Sequence, residues 1–136
     1  MSVRKTTYQE PPILEFEKLE FEESKYSRGN DNWMATTLLL ACHRQKLEPF
    51  ELPLAAIDLS VLRFSVKNTD EFVWQMKRCM DADPDIPIIL DDLGQVADGS
   101  HRICKAILEG RRTIMAYRLQ YMPKPDFVEP NTEGNE

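Results

Sequence analysis

Ile88-Ile89-Leu90-Asp91-Asp92-Leu93-Gly94-Gln95-Val96-Ala97-Asp98-Gly99-Ser100-His101-Arg102-Ile103-Cys104-Lys105-Ala106-Ile107-Leu108-Glu109-Gly110 is the stretch from which the rest of the chain is read. Ile86 to Leu90 is a β-rich run, and Gln95 to Ala97 is a second. Asp91-Asp92-Leu93-Gly94 between them predicts a hairpin loop, with Gly94 free to take positive φ. Asp98-Gly99-Ser100 is a sharp turn. A helix follows from about Ser100 to Glu109, with Ile103, Ala106 and Ile107 inward and Gly110 as its C′ stop. Thr113 to Leu119 predicts another strand.

Upstream, the clearest helix runs from about Asp70 to Asp81. Phe72, Val73, Met76, Cys79 and Met80 form one apolar stripe at helical spacing. Asn68 or Thr69 can cap it, and Asp70 and Glu71 suit the positive end of its dipole. Trp74 lies off the stripe. Asp83-Pro84 ends the helix. Asp81, Asp83 and Asp85 mimic the start of a calcium loop, but Ile86 stands where that loop needs Gly, so they read as a helix exit. An earlier helix is predicted from Trp33 to about Lys46, capped by Asp31 or Asn32. His43 at its end complements the helix dipole. Leu54 to Leu59 reads as a short strand, and Ser24 to Asn32 as a polar loop. Leu14-Glu-Phe-Glu17 and Leu19-Glu-Phe-Glu22 are two acidic copies with strand alternation, phase-shifted by Lys18. The expected layout is a flexible arm over 1–12, one α+β domain over 13–122, and a Pro-rich, acidic, disordered tail over 123–136.

Composition narrows the function classes. The chain has 136 residues, 42% of them hydrophobic, enough to bury a single core. Its longest apolar run, Leu38 to Cys42, is far short of the roughly 20 residues a membrane span needs. Met1 to Glu10 is polar and has no secretory core. Cys42, Cys79 and Cys104 are an odd set without paired spacing, which argues for a reducing compartment and against structural zinc. A cytoplasmic protein is expected. The net charge of −6 disfavours broad duplex DNA binding. That charge is unevenly spread. Residues 10–23 carry −5, residues 81–98 carry six aspartates and no base, and residues 99–118 carry five bases against Glu109, or +4.

The basic stretch begins at Asp98-Gly99-Ser100-His101-Arg102, the start of a helix. First-turn N–H groups lack intrahelical partners and sit at the positive end of the dipole, which makes an anion site. Gly99 allows close backbone approach. Ser100 can cap the helix or donate its hydroxyl. Arg102 offers a planar fork to a phosphate, and His101 can donate a hydrogen bond or move a proton. The plainer alternative is that Ser100 only caps the helix and the arginines pair with the preceding aspartates. Walker, Rossmann and Gly-x-Ser-x-Gly motifs are absent. Cys104, in the site helix, reads as buried and inert. Arg63 is a further candidate for reaching a phosphate.

The stretch Ile88 to Gly110, with the helix before it and the strand after it, resembles the ParB/sulfiredoxin superfamily over about residues 50–120. The resemblance implies a small α+β fold that binds a nucleoside phosphate, ATP or CTP, with Mg²⁺ as its companion. Its phosphate-binding turn would fall on Gly99, Ser100, His101 and Arg102. Asp98 and His101 would be the candidate catalytic groups of a phosphotransferase or nucleotide hydrolase. Sulfiredoxins need Cys immediately before His-Arg, where this chain has Ser100. Partition proteins carry a helix-turn-helix afterwards, where this chain has a Pro-rich tail. Asp-Gly-x-His-Arg is nearest to the free serine kinases. A second function class is a non-catalytic interaction or regulatory protein that contacts a basic partner through acidic residues 13–23. A third is a ParB-like DNA-processing accessory protein.

Overall fold

The computed structural model describes residues 10–14, 24–62, 64 and 66–130. The duplicated acidic segment (apart from Leu14), Arg63 and residues 131–136 lie outside them. Among the described residues, seven strands and three α-helices follow in order: β1 Lys25–Arg28, β2 Asp31–Met34, α1 Ala35–Arg44, β3 Phe50–Pro53, α2 Thr69–Asp81, β4 Ile88–Leu90, β5 Val96–Asp98, α3 Ser100–Leu108, β6 Thr113–Arg118 and β7 Phe127–Val128. This is the expected α+β class. Among the described residues no helix is long and apolar enough to cross a membrane.

The larger sheet has the order β3-β6-β4-β5. Strand β4 pairs antiparallel with β5 and parallel with β6, while β3 is antiparallel to β6. Ile88, Ile89 and Leu90 are all buried because both faces of this sheet are covered, which is why the run is continuously apolar. Ile88 and Leu90 join Ile103 and Ala106 of α3, together with Ile114, Ala116 and Leu54. Ile89 faces the other way and joins Trp33, Leu38, Ala41, Cys42 and Leu119. One strand thus holds two cores together.

The hairpin–turn–helix forms as its sequence predicts. Gly94 has φ 85° in the loop, and Gly110 has φ 75° just after α3. Helix α2 is capped by Asn68, whose Oδ1 accepts from Glu71 N at 2.9 Å. Its apolar stripe is only partly used. Cys79 is buried, while Phe72, Val73 and Met80 are exposed at 52%, 37% and 69%.

Four expectations are corrected. Ser24 to Asn32 is not a loop but holds β1 and the start of β2. Trp33 does not open α1. It lies in β2, which pairs with β1 across a two-residue turn, Gly29-Asn30, with Gly29 at φ 61°. Asn32 is buried and bonded to Ser27 Oγ and Asn30 O, so it is not available as a cap. Leu54 to Leu59 is not a strand either. The strand is β3, ending at Pro53, and Leu54–Ala56 and Leu59–Val61 are short 3-10 turns. Finally, residues 123–130 are not disordered. Strand β7 pairs with β2, Trp33 Nε1 donates to Pro123 O at 2.8 Å, and Asp126 N donates to Asn32 O at 2.9 Å.

Candidate functional site

Helices α2 and α3 pack side by side, and the start of α3 opens into a cleft of about 640 Å³. Its walls include Asp98, Gly99, Ser100, His101 and Arg102 from the turn, Gln75 and Arg78 from α2, Phe64, and Ser24-Lys25 from the entry to β1. All five residues singled out at the turn therefore meet at one cleft.

Gly99 is the N-cap of α3, with φ 118°, and has no side chain with which to cap it; among the described residues no other side chain bonds its first-turn N–H groups. Ser100 is the first helical residue rather than the cap. The first-turn N–H groups of α3 are thus left to solvent or a ligand. A Cβ on Gly99 would stand 2.5 Å from Ile88 Cγ2 and 2.9 Å from Ile88 Cβ. The glycine is needed first by the core, which presses the turn onto β4.

His101 is half-buried. Its Nε2 lies 2.7 Å from Gln75 Oε1, and its ring stacks on Phe64 with centroids 4.8 Å apart. An amide oxygen only accepts, so His101 donates from Nε2, and Nδ1 keeps the lone pair. Burial, helped by the nearby Arg78 cation, pulls its pKa down to about 4. His101 is therefore a neutral imidazole at physiological pH.

Arg102 is committed to the fold. Its Nη2 donates to Asp98 Oδ2 at 2.7 Å, and its Nη1 donates to the carbonyls of Pro87 at 2.6 Å and Ile86 at 3.3 Å. Asp98 and Arg102 thereby lock the turn to the strand before it. Three of the other four bases of the +4 stretch are used similarly. Arg111 pairs with Asp85 and Glu109, Arg118 donates to Asp92 O, and Lys105 donates to Met80 O. The cleft wall is of mixed charge, with Lys25, Arg78 and Arg102 beside Asp81, Asp83 and Asp98. Arg78 donates to Ser24 Oγ at 3.3 Å and has no carboxylate partner among the described residues. Lys25 sits 5.3 Å over the Phe127 ring.

Asp81 and Asp83 border the cleft. Among the described residues no three His, Cys, Asp or Glu side chains converge on a metal site. Gln75 and Arg78 were not anticipated as site residues. They lie three apart on the polar flank of α2, a spacing that reveals a shared face but not what the face meets.

No family model, curated protein or solved structure matches the chain. The functional reading therefore rests on the geometry of the cleft.

Proposed function

We propose that the chain is a nucleoside-phosphate-binding domain of the ParB/sulfiredoxin type, with the phosphates seated at the start of α3. The observation that carries this reading is the first turn of α3, begun by a glycine with no capping side chain, opening into a cleft of about 640 Å³ beside Arg78. Oriented N–H groups and the Arg78 cation suit an anionic group. The volume is typical of a small-molecule site. Phe64 and His101 supply an aromatic wall for a base. Neutral His101 can accept a hydrogen bond at Nδ1, but the burial that pulls its pKa down to about 4 disfavours its taking up a proton, so it is assigned to binding and positioning rather than to general-base catalysis. Asp98 is assigned to the turn rather than to proton transfer, because Arg102 holds it.

Calorimetry with ATP, ADP and CTP, with and without Mg²⁺, tests the reading. One of them is expected to bind saturably, and Arg78→Gln to weaken it roughly tenfold, the loss of one charge-assisted contact. No heat with any nucleotide would overturn the reading. Arg102→Ala is a poor probe, since it releases Asp98 and the turn together.

The outer face of α2 favours a second reading, an interaction protein. Phe72, Val73 and Met80 are exposed on it. Partner capture that is lost on Phe72→Ser, with nucleotide binding absent throughout, would decide for this reading.

A further inference from the structure

We propose that Gln75 and His101 form the sugar subsite of the cleft, with Gln75 setting the ring so that its bare Nδ1 accepts a hydrogen bond from a ribose hydroxyl. The assignment rests on the nucleotide reading and sharpens it, from any nucleoside phosphate to a ribonucleotide. Gln75 comes from α2 and His101 from α3, and both line the cleft. Two contacts hold the ring. Its Nε2 lies 2.7 Å from Gln75 Oε1, and its face stacks on Phe64 with 27° between the planes. A ring held at one edge and one face keeps little rotational freedom, so the direction of Nδ1 is set before a ligand arrives.

Gln75 also decides which nitrogen carries the proton. The ring is neutral, since burial disfavours its charged form, and a neutral imidazole has one N–H. The carbonyl oxygen of Gln75 only accepts, so that N–H is on Nε2. Among the described residues Nδ1 has no partner, and no buried side-chain N or O is left unpaired. Nδ1 is therefore open to solvent, an oriented acceptor on a ring that lines the cleft.

A lone pair selects what it faces. It repels an ionised phosphate oxygen, so its partner is a donor. The donors of a nucleotide are its ribose hydroxyls and the N–H groups of its base. His101 is the second residue of α3, in the turn whose own N–H groups are assigned to the phosphates. The sugar is bonded directly to the phosphate chain, and the base lies beyond it. The hydroxyls are thus the donors nearest to Nδ1. A site that hydrogen-bonds a hydroxyl discriminates against the analogue lacking it, because the acceptor is then left without a partner.

The test uses the full chain and two readouts. Nitrogen NMR of the free protein reads the tautomer, and His43→Gln identifies the signals of His101, since the chain has two histidines. A proton on Nε2 and none on Nδ1 is expected. A proton on Nδ1 would overturn the positioning role of Gln75, and the subsite with it. Calorimetry at mildly alkaline pH then compares ATP and CTP with their 2′,3′-dideoxy analogues and with ITP and UTP, which carry oxygen in place of the base amino group. The dideoxy analogue is expected to bind about tenfold more weakly than its parent, the effect of one hydrogen bond. Gln75→Leu, which frees the ring proton to move, is expected to shrink that ratio to about threefold or less, while Gln75→Glu, whose side chain still only accepts, keeps it. Equal binding of parent and dideoxy analogue by wild type would overturn the sugar assignment, whether or not the variants fold. So would a loss seen only with ITP or UTP, which places the base at Nδ1 instead. Binding of no nucleotide, with the proton on Nε2, would sink the nucleotide reading and the sugar assignment together and leave Gln75 as the residue that sets the ring.

Discussion

Gly99 carries two demands at one residue. Its φ of 118° is unfavourable for any side chain, and its missing Cβ leaves room for Ile88, which has no exposed surface. Gly99→Ala is expected to destabilise the fold by roughly 2–4 kcal/mol, since backbone strain and a clash with a buried side chain act together. Denaturant unfolding, read as a lower midpoint at unchanged slope, checks this. His101 makes a pH-dependent contribution whose sign is fixed by its depressed pKa. Its unfolded value is near 6.5 and its folded value about 4, so between them the unfolded chain binds the extra proton. The stability associated with the neutral ring is thus present above pH 6.5, falls as the pH drops, and is gone below about 4. Full burial would make the loss on the order of 3 kcal/mol, and solvent screening of a half-exposed ring reduces it to about 1–2 kcal/mol. The unfolding free energy of wild type is expected to fall more steeply than that of His101→Gln between these two pH values. Parallel curves would show that the ring is not held neutral.

At the scale of elements, α1 shows how a helix start can be supplied from elsewhere in the chain. Its N-cap is Met34, which has no capping side chain, and its first turn contains no acid. Asp126 supplies both, with Oδ2 accepting from Met34 N at 2.7 Å and Oδ1 from Thr37 Oγ1 at 2.8 Å. Asp126→Ala is expected to cost about 1 kcal/mol, the usual value of a cap, and Asp126→Asn less, since an amide keeps one acceptor. Chemical denaturation of the two variants separates these outcomes. The same element shows where the sequence was readable. Helices α2 and α3 and the β4–β5 hairpin were legible because their caps, glycines and periodicity are local. Helix α1 was misplaced because its cap lies 92 residues away. The β1–β2 hairpin had a local signal, Gly29-Asn30 between two short runs, but Asp31-Asn32 before a Leu-rich segment reads equally well as a helix cap. Pro-rich residues 123–130 look like a tail until β2 is known to offer them an open edge.

Across the whole molecule, charge blocks that look opposed in sequence are interleaved in space. The aspartates of residues 81–98 meet the bases that follow at Asp85–Arg111 and Asp98–Arg102. The location of the candidate site was therefore legible from glycine and helix placement, whereas its cations were not. Arg78 comes from another helix, and Arg102, Arg111 and Arg118 serve the fold. The same principle joins the two sheets. Asp91, with no exposed side-chain surface, accepts from Tyr26 Oη at 2.7 Å and Arg28 Nη1 at 3.3 Å in the small sheet. It also accepts from Leu93 N at 2.9 Å and Gln95 N at 2.8 Å in the hairpin loop. Removing a buried, fully bonded carboxylate strands several donors at once, so Asp91→Ala is expected to cost about 3–5 kcal/mol. Asp92→Ala, which removes a half-buried carboxylate that bonds Arg28 alone among side chains, is expected to cost less. The loss at Asp91 also has a spatial signature. The chain has two tryptophans, and with Trp74→Phe as background Trp33 reports from β2, stacked on Tyr26 at 5.9 Å. If Asp91 couples the sheets, its alanine variant unfolds at Trp33 before it loses its far-UV helix signal, while the background protein loses both together. Coincident transitions in both proteins would mean that β4, through Ile89 and the Trp33 core, holds the two sheets together without the carboxylate.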